Sequence, residues 1–211
     1  MKFYNFTKRL LDIIGSIVGI IIFSPLLIMG TIWVKLVSPK GPILADIPDR
    51  VGLNRKPFKL YKFRSMVPNA HELMLNDPEL RKLHRENGYK LDPDPRLLPG
   101  AKFLRKSSID EMPQFFNILF GDMSLVGPRA YYFHELAEQL EVNPEAKEYI
   151  DLALSVKPGL TGIWQVSGRS EISFKNRVKM DAEYAKRKSI LYDLLIILKT
   201  PFAIISGKGA F

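Results

Sequence analysis

The longest apolar stretch, IIGSIVGIIIFSPLLIMGTIWV, runs from Ile13 to Val34 without a charged position. As one straight helix, at about 1.5 Å per residue, it is long enough to cross a hydrocarbon core of roughly 30 Å. A cleaved signal peptide and a buried core helix are the rival readings. The run is long for the first and has no small-x-small cleavage site after it. It is apolar all round, which a domain of this size rarely hides. Pro25 interrupts it. The missing amide, and the clash of the ring with the Ile21 carbonyl, predict a kink or break at Ser24-Pro25, and the Ser24 hydroxyl can bond back one turn. Lys2, Lys8 and Arg9 precede the run, and Lys35, Lys40 and Arg50 follow it. Basic flanks at both ends are the cytoplasmic pattern. A helix that dips into a bilayer, bends and returns satisfies both features.

Beyond the run the pattern shortens. Residues 38–54 are rich in Gly, Pro and Asp and predict loops and short strands. Phe58-Lys59-Leu60-Tyr61-Lys62-Phe63-Arg64 alternates apolar and basic positions, which predicts a strand with one cationic face. Residues 69–88 predict a helical pair split at Asp77-Pro78, and 90–100 a proline-rich loop holding Asp94-Pro95-Arg96. Residues 101–120 predict one or two short helices. There Ser107 or Ser108 would cap a turn that carries Asp110 and Glu111, where the helix dipole favours acids. Helix is predicted over 131–154 and, strongly basic, over 174–188. VKPGLTGIWQVSGR, 156–169, predicts a glycine loop open either to a phosphate or to an ordinary turn. Residues 190–205 are apolar but broken by Asp193, Lys199 and Pro201, which suits an interfacial or core helix.

With 211 residues the chain is long enough for one domain with a buried core. Its 31 basic against 22 acidic residues give a net charge of +9, which asks for an anionic partner: nucleic acid, membrane surface or phosphorylated substrate. It has no cysteine, which removes disulfides and thiolate metal sites. His71, His84 and His134 lack metal-motif spacing, so zinc is not expected.

Several motifs, in order, resemble the monotopic phosphoglycosyl transferases, bacterial sugar transferases that begin glycan assembly on polyprenyl phosphate. They are Ser24-Pro25, KFRSM at 62–66, Asp94-x-Arg96, LRKSSIDEMPQFFN at 104–117, GDMSLVGPR at 121–129 and KPGLTGIWQVSGR at 157–169. The resemblance implies a helix-dominated α+β fold in the minimal catalytic form, on the cytoplasmic face of the bacterial inner membrane. Residues 1–37 would be the re-entrant helix, and 38–211 the catalytic domain with an interfacial C-terminal helix. It implies transfer of a phospho-sugar from a UDP-sugar to undecaprenyl phosphate, with magnesium and with release of UMP. Ala130 stands where the family often has a second proline, and 69–92 is longer than in the smallest members. The ending SGKGAF and GRSEISFKNRVKMD resemble exopolysaccharide and O-antigen members, several of which use galactose or glucose; N-acetylated sugars stay open.

The residues support that chemistry. A carboxylate can attack phosphorus if positive charge lies close, so Asp110 is the expected nucleophile. Magnesium prefers one or two carboxylates plus substrate phosphates. Glu111 is its expected ligand, with Asp94 and Asp122 as weaker candidates. Lys62, Arg64, Arg105, Arg129, Lys157, Gln165 and Arg169 are the expected substrate or phosphate contacts. A membrane scaffold, a metal-dependent phosphatase and a nucleic-acid binder compete. The first leaves Asp110-Glu111 idle, the second would transfer to water, and the third has no recognisable module.

Overall fold

A computed structural model describes residues 2–86, 91, 93–207 and 209. The expectations that fall on 87–90, on Asp92 and on Lys208, Ala210 and Phe211 of the ending lie outside the described residues. The chain opens with α1 (Lys2–Ile22) and α2 (Ser24–Val37), bent by 62° at Phe23. The break falls where proline chemistry predicts it. The Ile21 carbonyl, which Pro25 cannot serve, accepts the Ser24 hydroxyl at 2.8 Å. No single helix among the described residues is long and apolar enough to cross a membrane; the bent pair together passes that test.

Helix α1 sits directly on the rest of the chain. At Gly19 a Cβ would stand 2.5 Å from the Phe115 ring, so glycine lets the two come together. Phe23, at the bend, stacks on Phe115 with centroids 5.9 Å apart. The basic flank is partly structural. Arg9 donates to the Ile118 and Leu119 carbonyls at 2.7 and 2.8 Å, which closes the helix that carries Phe115. Lys8 bridges Asp12 and Asp193.

The strands are short and form two separate sheets. β1 (Arg50–Val51) and β2 (Pro57–Phe58) pair antiparallel. The cationic strand predicted over 58–64 is regular only at its start. Beyond Phe58 the chain is extended, with one bridge from Leu44 to Phe63. Its basic positions are not one solvated face: Lys59 is exposed, whereas Arg64 is buried. The helical pair follows as α3 (Ala70–Asn76) and α4 (Pro78–Glu86). Next come α5 (Ala101–Lys106), a 3₁₀ turn at Ile109–Glu111 and α6 (Gln114–Phe120). Helix α6 buries Phe115 and Ile118 and exposes Phe120, so the apolar run splits between core and surface.

β3 (Ser124–Val126) leads to α7 (Phe133–Val142) and α8 (Lys147–Ala153). The expected glycine loop is instead β4 (Gly159–Thr161) and α9 (Ile163–Ser167). β4 lies parallel to β3, with Ser124 opposite Gly159 and Val126 opposite Thr161. Gly159 is required because a Cβ there would collide with the Gly127 backbone. The Gly127 amide donates to Thr161 and the Gly159 amide to Pro128, so these glycines join strands rather than opening amides to a phosphate. The chain closes with α10 (Phe174–Arg187) and α11 (Ile190–Ser206), each capped by the serine before it. Helix α11 runs unbroken through Pro201. It buries Asp193 and Ile196 and exposes Leu198, Phe202 and Ile205.

Candidate active site

The turn that carries the acidic pair is built against local preference. Ser108 takes φ +58°, a left-handed conformation that costs a non-glycine residue about 1–3 kcal/mol and is often found at functional sites. Its hydroxyl makes no cap bond; the Ser107 hydroxyl instead bonds the Phe103 carbonyl of α5. The turn is 3₁₀ rather than α, so adjacent side chains diverge by about 120°. Asp110 points inward, 1% exposed, while the Glu111 side chain is 40% exposed.

Two backbone clamps deliver Lys62 to this pair. The Phe63 amide donates to the Asp110 carbonyl at 2.8 Å. Fully buried Asn117 accepts from the Tyr61 amide at 2.8 Å and donates to the Lys59 carbonyl at 2.7 Å. Between these clamps the Lys62 ammonium lies 2.8 Å from Asp110 Oδ2 and 3.5 Å from Glu111 Oε1. Burial pushes the Asp110 carboxyl up, the Lys62 charge pulls it back and Glu111 adds to the rise. Burial alone would lower the Lys62 ammonium, but Asp110 and then Glu111 outweigh it, so it is raised and stays charged. Asp110 Oδ1 is buried and accepts no hydrogen bond.

A cleft of about 3460 Å³ opens over the turn. Lys62, Arg105, Glu111, Arg129, Gln165 and Arg169 line it, and so do Val18 and Ile22 of α1 and Ile204 of α11. Polar and apolar walls thus share one space. Arg169 sits at φ +53°; burial lowers its pKa while Glu111 opposes.

Four expected residues are placed otherwise. Arg64 also borders the cleft, but its Nε and both terminal nitrogens bond Pro42 O, Ser38 Oγ and Ser38 O at 2.7–2.8 Å. It pins the chain after α2 and has little left for a phosphate. Asp94 is gripped by Arg96 through both oxygens, at 2.9 and 2.7 Å. Burial works against its charge, yet the Arg96 bonds hold the carboxyl below its usual range, so it is not a free metal ligand. Asp122 and Lys157 do not line the cleft. They lie with Arg9 near Gly121, at the far end of α6 from the acidic turn.

The sequence reading missed Arg50 and Arg177 of the cleft and Asp181 behind it. Arg50, read as a membrane flank, is 8% exposed on β1; its Nη1 donates to the Ala130 carbonyl at 2.9 Å, and its guanidinium lies 3.2 Å from the Tyr132 ring centroid. Arg129 and Arg177 both reach the Trp164 ring, at 5.3 and 4.8 Å. Behind them Asp181, fully buried, accepts from the Tyr131 hydroxyl at 2.7 Å and the Arg129 amide at 3.1 Å. Burial lifts its carboxyl to about 7 despite those bonds. A signal for Arg177 and Asp181 existed: they share an inward helical stripe with Val178, Ala182 and Ala185.

The chain is similar over nearly its whole length to named sugar phosphotransferases. The chain is 41% identical to the undecaprenyl-phosphate galactose phosphotransferase of Salmonella typhimurium, over 98% of its own length and 42% of the relative. It is 38% identical to the UDP-glucose:undecaprenyl-phosphate glucose-1-phosphate transferase of Klebsiella pneumoniae, over 97% of its length and 41% of the relative. With the exopolysaccharide production protein ExoY of Sinorhizobium fredii it shares 37% identity, over 97% of its length and 88% of the relative. It therefore spans less than half of the two longer relatives. The profile of the bacterial sugar transferases matches residues 3–207, and the chain belongs to that family.

Proposed function

We propose that this chain transfers a sugar 1-phosphate from a UDP-sugar to undecaprenyl phosphate, with release of UMP, through a phospho-sugar carried on Asp110. The observation that carries the reading is the buried Asp110 carboxylate, one oxygen on Lys62 and the other free of hydrogen bonds, beneath a cleft lined by arginines. A structural ion pair would have its remaining lone pairs satisfied. The relatives' names support the substrate classes: galactose and glucose donors and the undecaprenyl phosphate acceptor.

The chemistry runs in two displacements at one phosphorus. Asp110 Oδ1 attacks the sugar-linked phosphorus of the donor. A bond from carboxylate oxygen to phosphorus forms as the bridging P–O bond breaks, and its electron pair leaves with UMP. An oxygen of the lipid phosphate then attacks the same phosphorus, breaks the acyl-phosphate bond and restores the carboxylate. Lys62 keeps Asp110 ionised against the pull of burial and then faces the charge on the transferred group. Arg105, Arg129 and Arg169 counter the phosphates.

Magnesium fits in a limited way. No group of three or more His, Asp or Glu among the described residues can hold an ion, and Asp94 is taken by Arg96. Glu111, half-exposed at the cleft, would be its protein ligand, with water and substrate phosphates as the rest. When bound, the ion would neutralise diphosphate charge.

The apolar faces support attachment to the cytoplasmic leaflet of a bacterial inner membrane. Ile21 of α1, Met29 and Leu36 of α2, and Phe202 and Ile205 of α11 are exposed. A bent α1–α2 pair, with α11 packed beside α1, buries them without crossing. The test is UMP release from UDP-galactose and UDP-glucose with magnesium. A stoichiometric burst of UMP without lipid and repeated turnover only with lipid, both lost in Asp110→Asn, are expected. Repeated turnover that needs no lipid would mark a phosphatase, and no release from any UDP-sugar would remove the reading.

A further inference from the structure

The buried side-chain atoms without hydrogen bonds are not scattered. Among the described residues they are Asp110 Oδ1 and Oδ2, Asp181 Oδ1, Gln165 Oε1, Trp164 Nε1 and the Nε of Arg50, Arg105, Arg129 and Arg177. Every one belongs to the cleft wall or to a residue directly behind it. An unsatisfied buried polar group costs about 1–3 kcal/mol, and such groups are rare in native structures. The donors among them, Trp164 Nε1 and the Nε of Arg50, Arg105, Arg129 and Arg177, mark a place where a ligand supplies the acceptors.

These cations form two groups. Lys62 and Arg105 surround Asp110. Arg50, Arg129 and Arg177 form the other: Arg50 bonds the carbonyl next to Arg129, and Arg129 and Arg177 share the Trp164 ring. Glu111 lies 3.5 Å from Lys62 in the first group and lines the same cleft as the second. Burial, then the neighbouring Arg129 charge, lowers both Arg50 and Arg177, Arg50 to about 10. Burial would lower Arg129 too, but Glu135, 4.0 Å from its Nε, outweighs it; three guanidiniums beside that carboxylate still gain from a further anion set among them.

We propose that Arg50, Arg129 and Arg177 form one phosphate-monoester subsite, used in turn by the departing nucleoside monophosphate and by the incoming lipid phosphate. This rests on the two-displacement reading above. In each displacement the attacking and leaving oxygens lie in line across phosphorus. The group opposite Asp110 is UMP in the first step and the lipid phosphate in the second. Both are phosphate monoesters, and both must occupy the side of the cleft away from Asp110. The second arginine group lines the same cleft and takes no part in the Asp110–Lys62 pair. An arginine fork matches the shared phosphate and ignores what it carries.

The test uses the full chain in detergent, carrying Asp110→Asn so that no turnover occurs, titrated calorimetrically with UMP and with farnesyl phosphate as a short lipid monophosphate. Each should bind and should displace the other. Adding Arg50→Lys or Arg177→Lys should weaken both by at least about tenfold, while Arg55→Lys, at an exposed arginine outside the cleft, should change neither. Simultaneous binding of the two ligands, or weakening of one ligand alone, would overturn the shared subsite. The two claims fail separately: absence of an Asp110 adduct in the wild type would defeat the catalytic reading, whereas failure of UMP and farnesyl phosphate to displace each other would defeat the shared subsite alone.

Discussion

Arginines line both walls of the cleft, and, Arg105 with its unbonded Nε apart, they behave in opposite ways. On the wall built from residues 62–111, Arg64 holds Ser38 and Pro42 with three nitrogens, and Arg96 holds both oxygens of Asp94. On the wall built from Arg50, Arg129 and Arg177, the guanidiniums lean on Tyr132 and Trp164 and leave each Nε without a hydrogen bond, with Glu135 standing 4.0 Å from that of Arg129. Burial is therefore a poor guide to an arginine's role: Arg64 and Arg50 are 4% and 8% exposed. What separates them is whether the protein already supplies the acceptors.

The sharpest break in that contrast is at Lys62, the cation that holds Asp110. Lys62→Met strands the Asp110 carboxylate in a dry site. Removing one partner of a buried pair costs roughly 3–5 kcal/mol, so adduct formation should fall on the order of 10³-fold. The loss should be smaller at higher pH, where Asp110 ionises unaided. A pH–rate profile identical in shape to that of the wild type would contradict this.

Asp181 probes the other wall. Its folded pKa, about 7, lies above the ordinary value of 3.8, so the folded protein binds the extra proton. Stability from this group is full below about pH 4 and is lost as pH rises to 7 and beyond, by roughly 4 kcal/mol in all. Thermal unfolding of the wild type between pH 5 and 8 should therefore slope downward. In Asp181→Asn, which keeps an acceptor for Tyr131 and for the Arg129 amide, the slope should flatten; an unchanged slope would show that Asp181 titrates normally.

Paired substitutions sharpen the comparison directly. Arg64→Ala should lower stability by about 2–3 kcal/mol, because the Ser38 and Pro42 oxygens lose their donors, and should leave the KM of the folded fraction near wild type. Arg129→Lys keeps the charge and loses the fork. It should leave melting within about 0.5 kcal/mol and reduce kcat/KM for the nucleotide sugar by about tenfold. Reversed effects would collapse the distinction between the two walls.

The same distinction explains what the sequence could and could not reveal. Pro25 announced the bend because proline acts locally, through one missing amide and one ring, and the helix ends at 77–78 and 188–189 follow from Pro78 and Ser189 in the same way. Asp110 and Glu111 were legible as a pair set among cations. Which arginine is locked and which is idle was not legible, because the acceptors come from residues far along the chain: Ser38 for Arg64, Ala130 for Arg50. Asp94 and Asp122 looked alike as carboxylates near basic residues, yet one is clamped by its own loop and the other stands at the far end of α6. The glycines of 156–169 were misread for a related reason, since the strand they serve, β3, approaches from 124–126.

The central claim is that Asp110 carries the transferred group, and intact-protein mass spectrometry tests it most directly. The protein is mixed with UDP-galactose or UDP-glucose and magnesium, without lipid acceptor, and the product is mapped by peptide. A single phospho-hexose on Asp110, absent from Asp110→Asn and discharged by undecaprenyl phosphate, is the predicted result. An adduct on any other residue, or full turnover by Asp110→Asn, would contradict it.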